Sequence, residues 1–147
     1  MNQFQETRVL DQAASILQQR FHREGVFTNS ETVKHYLKLQ LSHYEQEVFA
    51  LMLLDSQHRL IEFKSLFYGT VNSASVYPRE VVKSVLKANA AAVIFAHNHP
   101  SGVAEPSAAD RAITTQLQTA LAIIDVSVLD HIVVGEYPVS FAQRGWL

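Results

Sequence analysis

The 147-residue chain predicts an α/β domain, specifically a three-layer αβα sandwich around a mixed sheet. Two observations carry this expectation. Apolar runs of strand length interleave with longer stretches whose apolar residues recur at helical spacing. Some strand candidates are separated only by a few turn residues, which makes them antiparallel neighbours, whereas others are separated by a whole helix, which permits parallel pairing. Hydrophobic residues make up 48% of the chain and charged residues 18%. At this size the fold should expose about 7,500 Å² of the roughly 24,000 Å² of the extended chain, enough burial for one core without staples.

Residues 6–22 place Leu10, Ala13, Ala14, Leu17 and Phe21 on one stripe, with Gly25 as a stop, so an amphipathic helix packed along that stripe is expected. Thr28 followed by Glu31 reads as a capping box that opens a second helix through Val33, Tyr36 and Leu37 to Leu41. The unbroken apolar run 48–54 reads as a strand buried on both faces, ended by Asp55-Ser56-Gln57. In 60–67, Ile61 and Phe63 alternate with Glu62 and Lys64 until Gly69, which makes a second strand and a hairpin with the first.

Pro78 opens a helix whose Val81, Val82, Val85 and Leu86 form a buried stripe. A short apolar strand at 91–95 runs into His97-Asn98-His99-Pro100. The stretch 107–124 is the clearest helix, with Ile113, Leu117, Ala120, Leu121 and Ile124 at helical spacing. Strands at 126–134 and 137–141 flank Gly135-Glu136, and Trp146 reads as an apolar anchor for this end of the chain.

Composition removes several function classes. The chain has no cysteine, which excludes disulfides, thiolate zinc sites, iron–sulfur clusters and cysteine nucleophiles. A net charge of −2 and the lack of a basic tail argue against strong nucleic-acid binding, which depends on neutralising phosphates. No basic-then-apolar leader or membrane-length apolar run is present, so the expectation is a soluble cytoplasmic protein with no membrane association.

Any metal must therefore sit on nitrogen and oxygen. His97 and His99 lie two apart at a strand end, so their imidazoles point to the same side. Asp110 falls in the first turn of the clearest helix, where the dipole favours a carboxylate that faces back to the strand. Two imidazoles and a carboxylate suit a catalytic Zn²⁺, one per chain, with water in the fourth position. By composition the whole pattern, with Ser107 between, arises by chance about once in a thousand such chains. Ser107-x-x-Asp110 is also a capping pattern. The string His-Asn-His is not the nuclease motif of that name, and a zinc deaminase would need cysteine ligands.

His97-x-His99-x(7)-Ser107-x(2)-Asp110 resembles the JAMM motif of MPN-domain metallopeptidases. Its surroundings, His97-Asn98-His99-Pro100-Ser101-Gly102, Pro106-Ser107 and Asp130-His131, are similar to the bacterial RadC-like branch. The resemblance runs over residues 25–147, with 1–24 as a preceding helix packed on that domain. It implies the cytidine-deaminase-like αβα fold of the superfamily, His97, His99 and Asp110 as zinc ligands, and Ser107 beside the developing oxyanion. The family's upstream glutamate maps onto Glu47, the general acid and base that amide hydrolysis requires; Glu45 is its local rival.

Ser101 reads as a turn residue or an assistant to the site, and Asp130 and His131 as ligand-orienting groups or polar strand positions. His22, His35, His43 and His58 read as solvated or locally bonded. The resemblance implies a peptidase or isopeptidase acting on a peptide or protein. The alternative is a noncatalytic interaction module or a DNA-repair accessory. Longer RadC-like proteins carry an N-terminal helix-hairpin-helix region absent from this sequence, which further lowers the expectation of DNA binding.

Overall fold

The computed structural model describes residues 1–26, 30–69 and 75–147. Among them lie the helices α1 (Gln3–Glu24), α2 (Ser30–Leu41), α3 (Pro78–Ala88) and α4 (Ala108–Ile123). The strands are β1 (Val48–Leu54), β2 (Leu60–Tyr68), β3 (Ala92–Asn98), β4 (Ser127–Val134) and β5 (Val139–Ser140). They form one mixed sheet in the order β2-β1-β3-β4-β5. β3 and β4 are parallel because α4 carries the chain back between them, while the other neighbours are antiparallel.

Alternation along the strands sorts side chains into two cores. Val48, Ala50, Met52 and Leu54 of β1, with Ile94 and Ala96 of β3, pack under Phe21 of α1 and Val33, Tyr36, Leu37 and Leu41 of α2. Phe49, Leu51 and Leu53, with Val93 and Phe95, face Val81 and Val85 of α3 and Ile113, Leu117 and Leu121 of α4. The three layers are thus α1/α2, sheet, and α3/α4, as the sequence predicts. All seven β1 residues are buried, so each of its Val, Phe, Leu and Met side chains contributes about 1.5–3 kcal/mol of burial.

Four expectations need correction. The buried stripe of α3 does not include Leu86, which is 60% exposed because it lies well round the helix from Val81 and Val85, the valines that face the sheet. The predicted stripe of α1 is packed only at its C-terminal half, where Leu17 and Phe21 join the core; Leu10 is 52% exposed. Its partners α2 and β2 do not extend under the first three turns, and residues 1–12 are all exposed. This overhang contributes to a surface of 8071 Å², above the roughly 7,500 Å² expected for the mass. β3 does not stop at Phe95 but continues through His97 and Asn98, both buried. β5 is shorter than 137–141 because the Asp130 carboxylate accepts hydrogen bonds from Ser140 Oγ (2.6 Å) and the Ala142 amide (2.9 Å), turning the chain away from the sheet. The proposed cap Thr28 lies outside the described residues.

Candidate metal centre

The site forms where β3 meets the N-terminus of α4, on the α3/α4 side of the sheet. His97 is the register partner of Phe49 on β1, and its ring stacks on that phenyl. α4 is capped by Ser107, whose Oγ accepts from the Asp110 amide (3.0 Å) while Asp110 Oδ2 accepts from the Ser107 amide (2.8 Å). The capping box read in the sequence is therefore present, and it orients the Asp110 carboxylate toward the strand end. The approach of the 99–106 loop depends on Gly135: a Cβ there would lie 2.6 Å from the Gly102 carbonyl oxygen.

These elements bring together the three predicted ligands. His97 Nε2 and His99 Nε2 are 3.1 Å apart. His97 Nε2 is 3.3 Å from Asp110 Oδ1, and His99 Nε2 is 3.2 Å from Asp110 Oδ2. Ligands about 2.0–2.1 Å from a tetrahedral ion stand about 3.3–3.4 Å from one another, so the donor spacing fits an ion of zinc's size. Among the described residues, His97, His99 and Asp110 form the group that could hold a metal ion.

Burial opposes the charge on Asp110, but hydrogen bonds from His97 and His99 outweigh it and hold the carboxyl far below its ordinary range. The hydrogen bond to Asp110 raises the pKa of His99 against the opposing effect of burial, with further support from the Val103 carbonyl and the charges of Asp110 and Glu47. His99 Nδ1 donates to the Val103 carbonyl (2.9 Å), which leaves Nε2 as the nitrogen that faces the site.

Behind His97 lies a pair that sequence reasoning left half open. His131, opposite Phe95 in the β3–β4 register, is fully buried, with Nε2 2.7 Å from His97 Nδ1. Its other nitrogen is 2.6 Å from Oγ1 of Thr114, which lies one helical turn beyond Asp110 and donates to the Asp110 carbonyl (2.8 Å). Burial drives the His131 pKa well below that of a free histidine, and the nearby charge of His97 acts in the same direction. Asp130, by contrast, faces the other side of the sheet with Ile94 and anchors the C-terminal turn.

Glu47 precedes β1 and is half-buried, whereas Glu45 is exposed. Extending the Phe49–His97 register by two residues sets Glu47 opposite His99, on the same face as both histidines. Its main chain is held from two sides: the Gly69 amide donates to the Glu47 carbonyl (2.8 Å), and buried Asn98 brackets the segment. The Asn98 amide donates to the Gln46 carbonyl (3.0 Å) and its oxygen accepts from the Val48 amide (2.7 Å). Asn98 and Thr114 are thus supporting residues that the sequence reading missed. Their signal was positional: Asn98 sits between the two histidines, and Thr114 lies four residues after Asp110.

Ser107 is exposed, and its hydroxyl retains a proton to donate after accepting the cap hydrogen bond. Ser101 accepts from the Val103 amide within the loop and serves as a turn residue. His43 packs on its neighbour Tyr44, a local role as expected, whereas His22 bonds the Leu60 carbonyl 38 residues away and ties the end of α1 to the start of β2, not the local bond expected. Trp146 packs edge-on against Phe141 beneath Arg111. A cleft of about 260 Å³ lined by Lys38, Tyr44, Asn98, His99 and Glu136 opens on the α2 side of His99, away from His97 and Asp110.

The class is thus an αβα domain whose His-His-Asp cluster at a strand–helix junction could hold a metal ion. Residues 27–146 match the RadC-like JAB domain, and the chain belongs to that family. Two proteins of Vibrio cholerae, each called a UPF0758 protein, are 61% identical over 142 and 144 residues. Those matches cover 97% and 98% of this chain and 90% and 92% of the relatives. A UPF0758 protein of Pseudoalteromonas translucida is 59% identical over 138 residues, 93% of this chain but 62% of its own length. Among the described residues no helix is long and apolar enough to cross a membrane.

Proposed function

We propose that this protein is a zinc-dependent hydrolase that cleaves an amide bond in a peptide or protein, as a peptidase or isopeptidase. The observation that carries the reading is the convergence of His97, His99 and Asp110 at 3.1–3.3 Å; Glu47, whose charge acts on His99, supports it. Zinc held by these three residues supplies a Lewis acid and a water acidic enough to ionise near neutral pH.

The remaining chemistry belongs to side chains of this chain. Glu47 takes the proton from the attacking water and passes it to the leaving nitrogen, the two transfers that separate amide hydrolysis from simple hydration. Ser107, at the rim, donates a hydrogen bond to the carbonyl oxygen as negative charge grows there. Asn98 fixes the segment that carries Glu47, and the α4 cap fixes Asp110. The test is hydrolysis of a peptide and isopeptide library by purified protein. Activity should be abolished by a chelator and restored by zinc; cleavage that persists in the metal-free protein would count against the reading.

A further inference from the structure

We propose that Thr114 and His131 act as positioning residues that lock His97 in the tautomer able to bind a metal ion. The inference rests on the metal-site reading above and extends it to residues outside the ligand set.

The argument is a count of protons. Thr114 has one hydroxyl hydrogen, and a carbonyl can only accept, so the 2.8 Å contact with the Asp110 carbonyl uses that hydrogen. Toward His131 the Thr114 oxygen can then only accept, which places a proton on His131 Nδ1 across the 2.6 Å contact. The His131 ring is enclosed by Phe49, Phe95 and Phe141, an apolar setting that favours a neutral ring with one N–H. His131 Nε2 is therefore a bare acceptor, and across 2.7 Å it takes the Nδ1–H of His97. With a proton held on Nδ1, the Nε2 that faces His99 and Asp110 is the nitrogen that gives up its hydrogen, the one bonded to Asp110, and offers its lone pair when a metal ion binds.

The chain of donors runs one way from His97 to His131 to Thr114 to the main chain of Asp110. It begins on one ligand and ends on another, so the same hydrogen bonds that set the tautomer also tie β3 to α4. His99 reaches the equivalent state by a separate route, its Nδ1 donating to Val103. Partners of this kind around metal-binding histidines typically contribute about 10- to 100-fold in metal affinity.

Zinc affinity, measured by competition with a chromophoric chelator at fixed pH, and imidazole ¹⁵N–¹H correlation spectra of the zinc-loaded protein test this together. The wild-type spectrum should show the proton on Nδ1 of both His97 and His131. His131→Phe, which fills the apolar pocket but offers no acceptor, should weaken zinc binding about 10- to 100-fold. His131→Gln, whose amide oxygen reaches the place of Nε2, should recover most of that loss. Thr114→Val should weaken binding and Thr114→Ser should restore it. The proposal is overturned if His131 carries its proton on Nε2, if His131→Phe binds zinc as tightly as wild type, or if the Phe and Gln variants lose affinity equally. The wild-type spectrum decides the matter should the Phe variant fail to fold. Absence of zinc uptake by the wild type overturns the metal-site reading itself, a different result from zinc binding that ignores His131.

Discussion

Replacing Ser107 by alanine removes a helix cap and, on the account above, an oxyanion donor. The two losses differ in size and in assay. The cap is the 3.0 Å hydrogen bond from the Asp110 amide, worth about 0.5–2 kcal/mol, which at about 2–4 °C per kcal/mol lowers the melting temperature by roughly 1–8 °C. The reciprocal 2.8 Å bond from the Ser107 amide to Asp110 is made by main chain and survives the substitution, so Asp110 keeps its orientation and zinc content should not change. Loss of a transition-state donor costs about 2.7–4 kcal/mol, or roughly 10²- to 10³-fold in kcat. A domain with 5–15 kcal/mol of stability stays almost wholly folded after losing a cap, so unfolding cannot produce a rate loss of that size. Ser107→Asp separates the roles further, since a carboxylate caps well but has no proton to donate. It should regain the melting temperature and not the rate. Thermal melts, zinc analysis and kcat on one substrate suffice. A Ser107→Ala protein that melts earlier yet turns over at the wild-type rate reduces Ser107 to a cap.

Glu47→Gln should retain zinc and fold while slowing hydrolysis by at least about 10²-fold, whereas exposed Glu45→Gln should leave the rate near wild type; the opposite pattern exchanges the two glutamates. Gly135→Ala sets a methyl 2.6 Å from the Gly102 oxygen, which must push the loop beside His99 outward; a destabilisation of about 1–3 kcal/mol by denaturant titration is expected, and an unchanged midpoint would show that the loop yields freely. With a net charge of −2, this chain should bind duplex DNA more weakly than micromolar at about 150 mM salt, which fluorescence anisotropy can contradict by finding submicromolar affinity.

Much of this was legible in the sequence because the informative signals are local. The apolar run of β1, the stripe of α4 and the Ser107–Asp110 cap each depend on neighbours a few residues apart. His97 and His99 could be paired for the same reason, since two residues along a strand share a face. Less local features were not legible. That His131 lies behind His97 follows from the parallel register of β3 and β4, and that Thr114 completes the contact follows from the face of α4 turned to the sheet. The apolar run suggested a strand ending at Phe95, yet Asn98 is buried within the strand because its amide is satisfied by the main chain around Glu47. Periodicity in α1 names the apolar face but not how far its partners reach, which is why Leu10 was expected to be covered and is not.

Elemental analysis of purified protein, wild type beside the His97→Ala, His99→Ala double variant, bears most directly on the central claim. The account predicts one zinc per chain in the wild type and none held stoichiometrically by the variant, with both proteins folded. Full zinc occupancy in the double variant would contradict the assignment, as would a wild-type protein that takes up no metal when zinc is supplied.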